Sequence, residues 1–103
     1  MNNAELVKLL LRGQNLEQIG RIEDAVGLYE RVVAAAFDSA GPYDRLIAIY
    51  SDRASHRDVE RIAERALENV HTHAAKRAWY ERTRAEARRA ALRVPQAAPK
   101  RTR

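Results

Sequence analysis

The sequence predicts an all-α fold, on the evidence of composition, periodicity and length. Helix-favouring Ala, Leu, Glu and Arg are abundant, whereas the 103 residues include only four Gly and three Pro. No segment keeps the strict alternation of apolar and polar residues that is typical of strands. A chain of this length has room for one core and not for two. We therefore expect a single helical domain, over residues 1–93.

Local signals divide that domain into five helices. Gly20 separates the first two, and the segment 38–42, which ends in Gly-Pro, separates the second from the third. Ser55 and Asp58 have the spacing of a capping box that opens the fourth helix, and residues 71–73 precede the fifth. The predicted helices are 4–18, 22–36, 42–53, 56–70 and 74–93.

The chain is similar to itself at a spacing of about 34 residues, mostly in residue class rather than identity. Large apolar or aromatic residues recur at this spacing, as do three charged residues. The large pairs are Leu9/Tyr43, Leu16/Tyr50 and Leu28/Ile62, and the identical pairs are Asp24/Asp58, Glu30/Glu64 and Arg31/Arg65.

This period and the order of large, small and aromatic positions resemble the tetratricopeptide repeat family. The second unit departs from the pattern, since Ala54 stands in place of the turn glycine and Val59 in place of a small alanine. We expect that turn to be strained or reshaped. The resemblance implies antiparallel helix pairs stacked with right-handed curvature: repeats at about 6–39 and 40–73, then a capping helix at 74–93.

The positions of small and aromatic residues favour the same packing of antiparallel helices, independently of the family resemblance. Small residues at Gly13, Ala25 and Ala66 would let neighbouring helices approach closely, with tyrosine rings filling the space opposite them. We expect one flank of the fifth helix to cover the last repeat, through Ala75, Ala78, Trp79, Tyr80 and Ala85.

The resemblance also implies a binding surface, because the first helix of each pair in this family lines a concave face that binds peptides. The residues carried over to that face are Val7, Leu10, Leu11 and Gln14, then Asp44, Arg45 and Ala48, then Ala75, Trp79 and Arg82. Only Arg45 could clamp a terminal carboxylate as chaperone-binding members do. The face is therefore better suited to an amphipathic helix or an apolar peptide.

The first helix carries more apolar surface than a terminal helix needs. Leu6, Leu9, Gly13 and Leu16 can face the second helix, which leaves Val7, Leu10 and Leu11 pointing away from it. We expect a partner peptide or a second copy of the chain to cover them, since two repeats are few for an independent stack. Trp79 is either an interface anchor or part of the packing on the last repeat.

Charge is unevenly distributed along the chain. Residues 1–73 carry nine Lys/Arg and twelve Asp/Glu, a net charge of −3, whereas residues 74–103 carry ten Lys/Arg and two Glu, a net charge of +8. Such a basic end suits nucleic acid, an acidic protein surface or the chain's own acidic half. The residues that could contact an acidic partner or nucleic acid are Arg77, Arg84, Arg88, Arg89, Arg93, Lys100, Arg101 and Arg103. A solvated capping helix, followed by a disordered tail at 94–103, is the simpler interpretation.

Catalytic and metal-binding patterns are weak in this sequence. The chain has no cysteine, and His71 and His73 lack a third ligand at suitable spacing. His56 corresponds to Ile22 in the repeat, which predicts a packed, hydrogen-bonded side chain. We expect a protein that is not an enzyme and uses neither cofactor nor metal.

Without a signal peptide or an apolar span, we expect it in the cytoplasm and not at a membrane. The predicted function is protein–protein interaction, with nucleic-acid association through the basic end as the alternative.

Overall fold

The computed structural model describes residues 1–72 and 74–93, and it confirms the all-α prediction: it contains five helices and no strand in these ranges. Each helix end lies within two residues of its predicted position. The predicted tail at 94–103 and His73 lie outside the described residues. The helices are α1 (Asn3–Gln18), α2 (Ile22–Ala34), α3 (Ala40–Asp52), α4 (His56–Asn69) and α5 (Ala74–Arg93).

The capping box is at a different helix from the one predicted. At the start of α1, the Glu5 backbone N–H donates to the Asn2 side chain at 2.9 Å. The Asn2 backbone N–H donates in turn to the Glu5 carboxylate, also at 2.9 Å, which completes a capping box. At the start of α4, the Ser55 hydroxyl instead donates to the Asp58 carboxylate at 2.6 Å, so the predicted box is wrong. Ser55 has ψ 72, whereas Asn2 has the extended ψ of 172 that directs a capping side chain at the helix end.

The turns inside the two predicted units have the same backbone geometry. Gly20 and Ala54, which occupy equivalent positions in the two units, both lie in the left-handed region, with φ of 86 and 54. The turn is therefore retained rather than reshaped, and alanine in this region costs about 1–2 kcal/mol. Two backbone hydrogen bonds recur in these turns. In the first unit, Gly20 N–H donates to the Glu17 carbonyl and Arg21 N–H donates to the Leu16 carbonyl. In the second unit, Ala54 N–H donates to the Ser51 carbonyl and Ser55 N–H donates to the Tyr50 carbonyl.

Each helix packs chiefly against its neighbours in chain order, and the core lies between them. Two alanines predicted to allow close approach, Ala25 and Ala66, are fully buried, as is Ala63. All four tyrosines are buried as well, and they supply much of the core volume. The rest of the core is Leu6, Val32, Val33, Leu46, Ile47, Ile49, Val59, Ile62, Val70, Ala87 and Ala91.

Gly13 allows α1 to approach α2, because a Cβ at this position would lie 2.7 Å from Cε1 of the buried Tyr29 ring. We expect Gly13→Ala to destabilise the fold by about 1–2 kcal/mol, since the clash outweighs the higher helix propensity of alanine. Urea denaturation followed by circular dichroism measures the change.

Gly27 provides the matched control, because it lies within α2 but a Cβ there would have no neighbour within 4 Å. Gly27→Ala should stabilise the fold by about 0.5–1 kcal/mol through helix propensity alone. Equal stabilisation by both substitutions would show that the Tyr29 ring does not limit the approach of α1.

The buried face of α5 matches the predicted flank only in part. Tyr80, Ala87 and Ala91 are buried, whereas Ala75 and Ala78 are exposed. Spacings of seven and four residues place the three buried positions on one side of a helix, and the two exposed alanines lie outside it. Among the described residues, none of the helices α1 to α5 is a candidate for a membrane-spanning segment.

Candidate partner-binding surface

One face of α1 presents apolar side chains to solvent. Val7 is 41% exposed and Leu11 is 53% exposed, as predicted. Gln14 and Gln18 continue this face toward the C-terminal end of α1, because the four positions are spaced by three or four residues. We call the surface formed by these four residues and by Arg45 on α3 the groove.

Leu10 does not belong to the exposed part of the groove. It is half-buried and packs against the core. Its side chain contacts α3, where a Cβ on Gly41 would lie 3.6 Å from Cδ2 of Leu10. The expectation that a partner covers Leu10 together with Val7 and Leu11 is therefore wrong, because α3 already occupies the space beside it.

A polar recess of about 310 Å³ adjoins the exposed apolar residues, and Gln14 and Arg45 line it together with Glu17 and Gln18. Arg45 forms an ion pair with Glu17, which also accepts a hydrogen bond from the Tyr29 hydroxyl at 2.8 Å. The Arg45 hydrogen bond lowers the pKa of Glu17. A ligand carboxylate would have to displace Glu17 from Arg45. No local sequence signal marks Glu17, because its partner lies 28 residues away.

Asp44, the other charged residue assigned to α3, is held by α5. Its carboxylate accepts from the Tyr80 hydroxyl at 2.8 Å and lies 3.0 Å from Lys76 Nζ. Burial raises the pKa of the Tyr80 phenol, and the hydrogen bond to Asp44 raises it further. Together with the Arg45 pair, these contacts connect α1, α3 and α5 side by side. Ala48, on the same helix, is half-buried.

Trp79 is half-buried and packs against the core, in agreement with the packing interpretation. Lys76 Nζ lies 4.3 Å from the centre of the indole ring, and Tyr80 meets the indole edge to face at 5.3 Å. Lys76 was not predicted, although its position one turn before Trp79 is a usable signal. Arg82, by contrast, is exposed on α5.

Two of the basic candidates on α5 contact the chain's own α4. Arg88 pairs with Glu60 at 2.6 Å and with Glu64 at 3.5 Å, and Arg77 donates to the Leu67 carbonyl at 3.3 Å. The acidic half of the chain therefore takes up part of the basic charge. Of the remaining candidates, Arg84 is half-buried and Arg89 and Arg93 are exposed, while Lys100, Arg101 and Arg103 lie outside the described residues.

Within residues 1–72 and 74–93, no group of three or more His, Cys, Asp or Glu side chains is arranged to hold a metal ion. His56 is half-buried in a recess of about 390 Å³ between the ends of α3, α4 and α5, which Glu86 and Arg93 also line. His71 is exposed, and its backbone N–H donates to the Asp38 carboxylate at 2.8 Å.

Comparison of the chain with family models, with curated proteins and with solved structures finds no match.

Proposed function

We propose that this protein is a protein–protein interaction module, similar to tetratricopeptide repeats, whose groove binds an apolar peptide or amphipathic helix of a partner. The observation that carries the proposal is the exposure of Val7 and Leu11 beside the recess of Gln14 and Arg45. Exposed apolar patches rimmed by polar residues are typical of interaction sites.

Two further observations support the proposal. The same turn recurs at Gly20 and Ala54, whose spacing in the sequence equals the repeat period of the family. The polar contacts at Arg45 and Asp44 also connect α3 to α1 and to α5, which is the order of neighbours that a stack of tetratricopeptide-like units would have. This arrangement would present the groove as one surface.

The test is selection of peptides from a displayed random library on the folded protein, followed by affinity measurement. We expect selected peptides to be apolar on one face, and to bind the Val7→Ser, Leu11→Asp double variant at least about ten-fold more weakly. Each partly exposed side chain contributes on the order of 1 kcal/mol when a ligand covers it. Fluorescence anisotropy of labelled peptides gives the two dissociation constants.

Leu92→Asp is the matched control, since Leu92 is 71% exposed on α5 and lies away from the groove. It should bind the selected peptides like the parent, and both proteins should keep the parent's melting transition. Selected peptides that bind the double variant and the parent equally would contradict the proposal. Tight binding of duplex DNA that persists between about 50 and 200 mM salt would instead favour the nucleic-acid alternative.

A further inference from the structure

The free end of the stack, formed by α1 and α2, carries a second surface. It is a shallow recess of about 330 Å³ with an apolar floor of Leu9, Leu16 and Leu28. These leucines are half-buried, and the charged side chains around them are exposed. We call this surface the end face; its charged rim consists of Arg12, Arg21, Asp24 and Arg31.

The equivalents of the three leucines in the second unit are Tyr43, Tyr50 and Ile62, and all are buried. They are buried partly because α2 and the segment after it lie against α3. The Tyr43 hydroxyl donates to the Phe37 carbonyl at 2.8 Å, and the Tyr50 hydroxyl donates to Glu30. The end face is thus the first unit's copy of a surface that, in the second unit, a helix covers.

The way α2 covers that surface shows what kind of helix fits. Its apolar side contributes to the core, while Glu23 and Glu30, seven residues apart, hold arginines of the second unit. Glu23 pairs with Arg53, and Glu30 accepts from Arg61 at 3.0 and 2.7 Å. Stacking in this chain therefore combines an apolar stripe with glutamate-to-arginine pairs at its border.

We infer that the end face docks an acidic amphipathic helix of a partner protein, with an apolar stripe bordered by glutamates. The rim has three arginines and one aspartate, and Asp24 is already paired with Arg21 at 2.6 Å. Arg12 and Arg31 remain for carboxylates of the partner. Arg12 stands where the buried Leu46 stands in the second unit, so a carboxylate on the docked helix would compensate its charge.

Charge argues against a second copy of this chain as the occupant. The opposite end of the stack is α5, which carries seven Lys/Arg and two Glu over residues 74–93, so stacking it on the arginine rim would be repulsive. Two end faces brought together would repel each other for the same reason. An acidic helix is the complementary occupant, and this surface is separate from the groove.

The experiment uses two capped peptides of about 18 residues, long enough for helix formation, with the same leucine stripe flanked by Glu in one and by Lys in the other. The affinity of each peptide is measured for the full chain and for its Arg12→Glu, Arg31→Glu variant. Both arginines are exposed in the parent. The parent should bind the Glu peptide at least about ten-fold tighter than the Lys peptide, and the variant should reverse this preference. Both preferences should shrink at about 0.5 M salt.

Methyl chemical shifts locate the bound peptide. Shifts at Leu9, Leu16 and Leu28 are expected, whereas shifts confined to Val7 and Leu11 would place the peptide in the groove and overturn the inference. Equal binding of the Glu peptide to parent and variant, or no binding to either, would overturn it too. So would a dimer of the parent chain that perturbs the same three leucines, since it would assign the end face to a second copy.

Discussion

Ala66→Asp should abolish the cooperative melting transition of the chain. Ala66 is fully buried on α4, so an aspartate there would place an unpaired charge in the core. Such a substitution costs several kcal/mol, a large share of the roughly 5–15 kcal/mol that stabilises a typical domain. Ala25→Asp on α2 should have the same effect, because Ala25 is also fully buried. Circular dichroism during heating measures both.

Ala78→Asp is the matched control, because Ala78 lies on an exposed side of α5. Its melting temperature should stay within a few degrees of the parent value, as is usual for surface substitutions worth about 0.5 kcal/mol or less. Cooperative melting of the Ala66 and Ala25 variants at the parent temperature would mean that α2 and α4 do not pack as described.

Alkaline pH should unfold the protein cooperatively, because every tyrosine of the chain is buried with its hydroxyl donating to an acceptor. Burial raises the pKa of each phenol, and for Tyr50 burial and Glu30 raise it from 10.0 to about 12. The unfolded chain then ionises first as the pH rises. Folding stability should be intact below pH 10.0 and should decline from there toward about pH 12.

The decline should be steep, since each tyrosine that ionises only on unfolding contributes about 1.4 kcal/mol per pH unit. Four such groups together contribute about 5 kcal/mol per pH unit. Tyrosinate absorbance and far-ultraviolet circular dichroism should therefore change in one transition.

Tyr50→Phe tests the origin of that slope. It keeps the ring in the core and removes one phenol, so the stability should fall less steeply with pH, by about 1.4 kcal/mol per unit. The comparison is made on urea denaturation free energies at several pH values. Tyrosinate formation near pH 10.0 in a chain that keeps its helices would contradict the role assigned to burial.

The helices could be predicted from the sequence because the signals that begin and end them are local. Gly20 and the segment 38–42 interrupt the chain within a few residues of the observed ends of α1 and α2 and the start of α3. The repeat spacing likewise matched Ala54 to Gly20, and both turns have the same hydrogen bonds. The capping box at Asn2 and Glu5 was available to the same reasoning and was missed.

The candidate site could be predicted only in part. Val7 and Leu11 are exposed as expected, because the positions of residues around α1 follow from its period. Leu10 lies between them in sequence, but its exposure depends on where α3 crosses α1. The pairing of Arg45 with Glu17 likewise required knowledge of which side chains meet across helices.

The sequence by itself determined the all-α class, the positions of the helices and the small residues that let them approach, because propensity, capping and periodicity act over a few residues. Only the tertiary structure decided which side of α5 is buried, which carboxylates hold the tyrosines, and that the first unit leaves an end face uncovered. The reason is physical: burial and side-chain pairing depend on distances between segments about 30 residues apart, and these distances exist only once the helices have packed.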